Sequence, residues 1–169
     1  MKTLRNKNKA GFTLIELLVV IAIIGLLASV VLLALNSARA KSRDAKRLAD
    51  IRQMASAFEL FFNDKSSYPT NGNAPTAFAI LSAAQVPGLV PGYIGIIPTA
   101  PAPPDGACGS AAYSGNAAGA NDYLYAGTTS GVNLSSVYTL TFCLGQATGG
   151  YTCPAAGGCV HTLTPAGIQ

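Results

Sequence analysis

Hydrophobic and polar positions divide the chain into stretches of different periodicity, and the first of them is entirely apolar. From Leu17 to Leu35 the 19 positions carry no charge, and Ser29 is the only polar side chain among them. As an α-helix this run would be roughly 28 Å long, which is enough to cross the hydrocarbon core of a bilayer. The pattern therefore predicts a membrane-spanning helix near the start of the chain.

The next stretch, from Asn36 to Asp64, has the periodicity of an amphipathic helix. It contains neither proline nor glycine. Its apolar residues recur three or four positions apart, at Leu48, Ile51, Ala55, Phe58 and Phe62. Because no stop signal separates it from the apolar run, we expect one continuous helix from Thr13 to Asp64 whose second half packs this stripe against a globular domain.

Beyond this helix the chain has the composition of loops and short elements. Pro69 ends the helix, because a proline restricts the preceding Tyr68 and cannot continue an α-helix. A short helix is expected over Pro75–Gln85, with proline in its first turn. The proline-rich stretch Val86–Gly106 predicts an extended or turning connection.

Alternating apolar and polar positions predict strands in the last third of the chain. Val137–Leu144 is the clearest of them, with aromatic and aliphatic side chains on one face. Asp122–Ala126 and Val160–Leu163 are further strand candidates, and Gly149-Gly150 marks a turn. The predicted fold class is α+β, a long N-terminal helix whose second half packs on a small antiparallel sheet.

All four cysteines lie in the last 62 residues, at Cys108, Cys143, Cys153 and Cys159. An even number confined to one region beyond a membrane segment is typical of two disulfides in an oxidising compartment. A zinc site is disfavoured, because no pair has the short spacing of zinc ligands. Of the three pairings that four cysteines allow, we favour Cys108–Cys143 and Cys153–Cys159.

The charge distribution argues against nucleic acid as the partner. The net charge is +4 and the pI about 9.0, but all 11 basic residues lie at or before Lys65. Four of them precede Gly11, and without that leader the chain carries 7 basic and 7 acidic residues. Binding to nucleic acid would therefore need a local basic patch, and we expect it only if the protein serves DNA uptake.

The leader has an order that secretory signal peptides lack, because the small-residue site Ala10-Gly11 precedes the apolar stretch. The segment from Gly11 to Glu16, Gly-Phe-Thr-Leu-Ile-Glu, resembles the prepilin leader of type IV pilins and type II secretion pseudopilins. The resemblance is specific over residues 7–36 and architectural beyond about residue 70. It implies that a prepilin peptidase/methyltransferase cuts after Gly11 and N-methylates Phe12.

The resemblance also implies a division of the chain into four parts. These are the prepilin leader peptide 1–11, the transmembrane and filament-core helix 12–35, the amphipathic helix half 36–65, and the disulfide-bonded outer domain 66–169. Within the outer domain we expect a loop region, 66–107, and a sheet region, 108–169.

Glu16 is the single charge at the start of the apolar helix. A carboxylate at membrane depth costs a few kcal/mol, so such a residue is a functional candidate whose partner should be named. The resemblance implies that this partner is the Phe12 amine of a neighbouring subunit in a filament. The alternative is an interfacial glutamate that reaches the lipid head groups.

Basic residues on both sides of the apolar run leave its orientation undecided by charge alone. The cysteines need an oxidising side, so we expect a cytoplasmic N-terminus and an outer C-terminal domain.

Arg43, Lys46, Asp50 and Gln53 are predicted away from the apolar stripe. The basic cluster Arg39–Arg47 is interpreted as a face towards solvent or lipid head groups, or as a contact with acidic surfaces of neighbouring subunits.

Candidate catalytic chemistry is sparse in this sequence. His161 is the only histidine and is interpreted as a solvent-facing strand residue. The chain has no phosphate-binding glycine loop and no zinc-protease pattern. Asp105 and Asp122 are too few oxygen ligands to predict the calcium site that type II secretion pseudopilins typically carry. We expect no enzyme activity, cofactor or metal.

We therefore expect a structural subunit of a type IV pilus or a related filament, held in the cytoplasmic membrane before assembly. Its partners would be identical and minor pilin subunits, the prepilin peptidase, an inner-membrane platform protein and an assembly ATPase, as the resemblance implies. One alternative is a pseudopilin of a type II secretion or DNA-uptake system, which would form a periplasmic filament. Another is a membrane-anchored binding module that does not polymerise.

Overall fold

The computed structural model describes residues 11–70, 78–105, 108, 122–128, 136–153 and 159–169. In this part of the chain one helix precedes five strands: α1 Leu14–Lys65, β1 Ala79–Ile80, β2 Leu124–Thr128, β3 Val137–Leu144, β4 Cys159–Thr164 and β5 Gly167–Ile168. The chain divides after Ala38 into two compact units, and α1 contributes to both of them.

The continuous helix predicted from Thr13 to Asp64 is confirmed to within one residue at each end. Its last turn closes where the amide of Ser66 donates to the carbonyl of Phe62 at 2.7 Å. Ser66 adopts a left-handed backbone conformation with φ of 56°, which is a common way for a helix to end. Pro69 follows, so the helix cannot resume.

The five strands form one antiparallel sheet in chain order, β1-β2-β3-β4-β5. The α+β class predicted from the sequence is confirmed. β3 has the bounds that its alternating pattern predicts, and β4 is one residue longer at each end than predicted. β5 was not expected, because two residues are too few to carry a pattern.

The short helix predicted over Pro75–Gln85 is wrong in its described part, residues 78–85. There the chain forms β1, which pairs with β2 through Ala79 opposite Tyr125 and Ile80 opposite Leu124. The free edge of β2 offers unpaired backbone groups, and this tertiary pairing overrides the local preference of an alanine-rich segment for a helix. Residues 75–77 lie outside the described residues.

The hydrophobic core lies between the second half of α1 and one face of the sheet. Ile51, Met54 and Phe58 are completely buried on the helix side. The ring of Phe58 lies 4.6 Å from that of Tyr138 and 5.3 Å from that of Tyr125. Aromatic pairs at these distances add to the stabilisation from buried area, so this cluster fixes the sheet on the predicted stripe.

His161 lies in this core and not at the surface. His161 is only 8% exposed, and the centroid of its ring lies 5.3 Å from that of Tyr151 and 5.7 Å from that of Phe142. The prediction of a solvent-facing histidine is therefore wrong. The register of the sheet explains the error: His161 pairs with Phe142 across β3 and β4, which puts both side chains on the face that packs on α1.

Candidate functional site

The first turn of α1 is closed by a reciprocal pair of contacts between Thr13 and Glu16. The amide and the hydroxyl of Thr13 donate to Oε2 of Glu16 at 2.8 and 2.7 Å, and the amide of Glu16 donates to Oγ1 of Thr13 at 3.3 Å. This is a capping box, in which two otherwise unbonded amides at a helix start are satisfied. The Thr-Leu-Ile-Glu spacing is the sequence signal for it, and our sequence analysis missed that signal.

The apolar segment from Phe12 to Leu35, which includes the first half of α1, is exposed throughout. The exposed fractions of its large apolar residues run from 41% at Leu35 to 82% at Phe12. Soluble monomers rarely expose apolar surface of this extent. By length and composition α1 is able to cross a membrane, so either lipid or other protein helices are the surroundings that suit it.

Gly11 and Phe12 precede the helix and are both exposed. Among the described residues, apart from its chain neighbour, no atom lies within 4 Å of the position that a Cβ on Gly11 would take. The rest of the described chain therefore does not cover these two residues.

In the second of the two units, which begins at Arg39, Asp44 is the centre of a buried polar cluster. Its carboxylate accepts hydrogen bonds from the amides of Gly145 and Gln146 at 2.9 and 3.0 Å. Nη1 of Arg47, one turn further along α1, donates to it at 2.6 Å. The side chains of Asp44 and Arg47 are 0% and 1% exposed, so this carboxylate attaches the helix to the loop that follows β3.

Asp105 joins the same cluster from the proline-rich connection. It forms ion pairs with Arg43 and, at 3.4 Å, with Arg47, whose Nη2 also donates to the carbonyl of Pro101. The hydrogen bonds from Arg43 lower the pKa of Asp105 below its ordinary value, and the charge of Arg47 acts in the same direction. The cluster therefore fastens the connection onto α1.

These contacts correct the interpretation of the basic cluster. Arg47 is buried and Arg43 is only partly exposed, and Asp44 and Asp105 of the same chain neutralise both. Asp50, predicted on the polar side, is 9% exposed and accepts a hydrogen bond from the hydroxyl of Tyr123 at 2.9 Å. Periodicity assigns charged residues to the surface, whereas here two carboxylates and a guanidinium lie against the sheet and its loops.

The four cysteines form two disulfides, Cys108–Cys143 and Cys153–Cys159, with sequence separations of 35 and 6 residues. This is the pairing that the sequence analysis favours. Cys108 donates its amide to the carbonyl of Asp105 at 3.0 Å, so the first disulfide ties β3 to the residue that holds Arg43.

Among the described residues, no group of three or more histidine, cysteine, aspartate or glutamate side chains is placed to hold a metal ion. Asp105, the residue that most resembled part of a calcium loop, is engaged by guanidinium groups. The contacts described here attach α1 to the sheet and its loops.

Comparison with known proteins gives one family-model match and several relatives. Residues 6–32 match the family model described as the prokaryotic N-terminal methylation motif. The chain is 35% identical over 101 residues to the type II secretion system core protein G of Escherichia coli strain K12, which covers 59% of this chain and 68% of that protein.

Two other relatives match over shorter spans. The core protein G of Klebsiella michiganensis is 40% identical over 67 residues, 40% of this chain and 47% of the relative. The type IV wide pilus major component of Thermus thermophilus is 38% identical over 76 residues, 45% of this chain and 58% of the relative. The chain thus spans about half the length of several curated relatives that it matches, and no solved structure matches it significantly.

Proposed function

Since this chain belongs to the family of type IV pilins and type II secretion pseudopilins, we propose that it is a non-enzymatic structural subunit that polymerises through α1 into a filament. The observation that carries this proposal is the unbroken exposed apolar surface from Phe12 to Leu35. In a monomer this surface is stable only in lipid, whereas in a filament identical helices cover it. Packing of this heterologous kind continues without closing, which is how a fibre grows.

In this proposal the subunit is made as a precursor and cut after Gly11. A prepilin peptidase/methyltransferase then methylates the new terminal amine of Phe12. The exposed position of both residues supports this route, as does the match to the methylation motif over residues 6–32. Residues 1–11 are thus the leader, and residues 12–35 form the membrane and filament-core segment.

Glu16 would set the alignment of neighbouring subunits by pairing with the Phe12 amine of the next one. An ion pair in a water-free helix bundle is favourable only if both charges are satisfied. The capping contacts from Thr13 support this role, because they hold the carboxylate in one place at the start of the helix. Before assembly the subunit would lie in the membrane. Its further partners in this proposal are identical and minor subunits, a platform protein and an assembly ATPase.

We place the outer domain, residues 66–169, on the far side of the cytoplasmic membrane, with the N-terminus inside. The two disulfides support this orientation, because structural disulfides persist in oxidising compartments. After assembly the same domain would lie on the outside of an extracellular or periplasmic filament.

A pseudopilin of a type II secretion system is the second candidate, and the names of several relatives favour it. Both candidates assume cleavage after Gly11 and methylation of Phe12. Mass spectrometry of protein purified from cells tests this, and we expect a chain that starts at N-methylated Phe12. Electron microscopy of the same cells then separates the two candidates by the length of the fibre. Recovery of the working protein with residues 1–11 still attached would contradict both.

A further inference from the structure

The structure divides the basic residues between Leu35 and Phe58 into two groups. Arg43 and Arg47 are used inside the fold, paired with carboxylates of the same chain. The others are exposed and form no ion pair within the described residues: Arg39, Lys41, Lys46 and Arg52. The second group is therefore available to an external anion.

No exposed carboxylate balances these charges on the same part of α1. Asp44 and Asp50 are the only acidic residues between Leu35 and Phe58, and both are buried and hydrogen-bonded. The next exposed acidic residue along the helix is Glu59. The surface of α1 from Arg39 to Arg52 thus carries positive charge alone.

The exposed cations lie on both sides of the buried face of the helix and do not form one patch. Arg39 and Lys46 lie about two turns apart on one side of the buried stripe, and Lys41 and Arg52 lie about three turns apart on the opposite side. A single docked protein would contact one side of such a helix. A layer of anions that encircles the helix contacts both sides.

Position along the helix singles out three of these residues. Counted from Leu35, the last residue of the apolar run, Arg39, Lys41 and Lys46 follow by roughly 6, 9 and 16 Å of helical rise. Helical side chains point back towards the N-terminus, which here is the direction of the apolar run. The long side chains therefore place the charges of Arg39 and Lys41 within a head-group layer roughly 5–8 Å deep and bring the charge of Lys46 towards its outer boundary.

Arg52 lies about 25 Å beyond Leu35 by the same count. Even with its side chain directed backwards, its charge stays outside that layer. It carries the same charge on the same exposed helix surface. The chain thus contains its own control for an effect that depends on depth.

We propose that Arg39, Lys41 and Lys46 form a cationic collar that binds the phosphate groups of anionic phospholipids around α1 before assembly. This inference rests on the membrane placement of the proposed function but not on polymerisation. The bound lipids would neutralise the collar in the membrane and would have to be released when a subunit leaves it.

The test uses the full-length chain reconstituted in phosphatidylcholine bilayers with trace spin-labelled lipid. Electron paramagnetic resonance measures the fraction of spin-labelled phosphatidylglycerol or phosphatidylcholine that α1 immobilises. The wild type should prefer phosphatidylglycerol, and 1 M salt should weaken the preference. The triple variant Arg39→Gln/Lys41→Gln/Lys46→Gln should lose it, with a reduction of up to roughly fivefold for each cation removed, equivalent to about 1 kcal/mol.

The control variant Arg52→Gln/Lys65→Gln removes two exposed cations outside the layer and should keep the preference. Circular dichroism checks that both variants keep the helix and the sheet. The collar is refuted by a wild type without lipid preference, by a triple variant that retains it, or by a control that loses as much. A triple variant that keeps the preference but no longer forms filaments would assign these cations to a neighbouring subunit instead.

The proposed function can fail separately from the collar. A chain that shows the lipid preference but starts at Met1 in cells and never polymerises would overturn the filament proposal alone.

Discussion

Asp44 and Arg47 lie one turn apart on α1, bonded at 2.6 Å, and both are almost completely shielded from solvent. A buried charge is costly unless it is paired and hydrogen-bonded, so the two residues depend on each other and on the two loop amides that donate hydrogen bonds to Asp44. The contact between α1 and the sheet thus has a polar part beside its aromatic core.

The first prediction concerns this pair. Asp44→Asn should lower the free energy of unfolding by about 3 kcal/mol, because Arg47 remains buried without its nearest countercharge. Chemical denaturation of the detergent-solubilised chain, followed by circular dichroism, measures the loss. Asp64→Asn is the matched control, since Asp64 is exposed and accepts a hydrogen bond from the hydroxyl of Tyr93 at 3.0 Å. A similar loss in both variants would contradict the role of the buried pair.

The second prediction is a pH dependence that originates at Asp105. Its folded-state pKa is held below the ordinary value of 3.8, chiefly by Arg43. A lowered carboxyl pKa stabilises the fold above the unfolded pKa, and this stabilisation disappears as the pH falls through the folded pKa. The wild type should therefore unfold at a higher temperature than Asp105→Asn at pH 7, and the difference should shrink below about pH 4.

Thermal unfolding of both proteins between pH 7 and pH 2 measures this difference. The Arg43 side chain stays charged throughout, so the change reports on the carboxyl group alone. A difference that remains constant down to pH 2 would mean that Asp105 acts by packing and not by charge.

The third prediction compares the two disulfides. In the chain-entropy model a cross-link stabilises more when it closes a longer loop. Cys108–Cys143 spans 35 residues and Cys153–Cys159 spans 6. Replacing the first pair by serine should cost about 4 kcal/mol of unfolding free energy and replacing the second about 2 kcal/mol.

Chemical denaturation of the two double variants ranks these losses, and mass spectrometry of non-reduced peptides tests the pairing independently. Equal losses would show that the longer loop closed by the first disulfide, and its link to Asp105, give no additional stabilisation over the second disulfide. Recovery of a peptide joining Cys108 to Cys159 would reject the pairing itself.

The fourth prediction separates two roles of Glu16. Glu16→Leu should leave membrane insertion intact and reduce filament assembly. Glu16→Gln keeps a side chain that can complete a capping box with Thr13 but removes the charge. If pairing with a neighbouring Phe12 amine is the essential role, Gln should reduce assembly as Leu does.

Quantification of sheared filaments against the membrane-bound pool measures both variants. Thr13→Val is the complementary control, since it removes the hydroxyl of the cap and leaves the carboxylate. Normal assembly by Glu16→Gln would reduce the role of Glu16 to capping and reject the ion pair between subunits.

Local patterns were sufficient for the long helix and for β3. The helix from Leu14 to Lys65 follows from an apolar run and a stripe that continue without a breaker. β3 follows from an alternation of period two over eight residues. Both elements are long enough that their own side chains determine which face is buried.

Local sequence patterns did not predict the short strand β1 or the buried charges. β1 exists because β2 offers it an edge, and its own residues contain no strand pattern. Asp44 and Arg47 look like surface residues of a helix in the sequence. Only the loop after β3 and the connection at Asp105, which lie some 60 to 100 positions away, make them interior.

The family, the apolar helix with its single Glu16 and the α+β class follow from patterns among neighbouring residues. Which charges are neutralised within the chain and which remain exposed follows from the three-dimensional fold. That distinction depends on contacts between residues distant in sequence, where desolvation and hydrogen bonding set the cost of a charge. It assigns Arg43 and Arg47 to the interior and leaves Arg39, Lys41 and Lys46 at the surface.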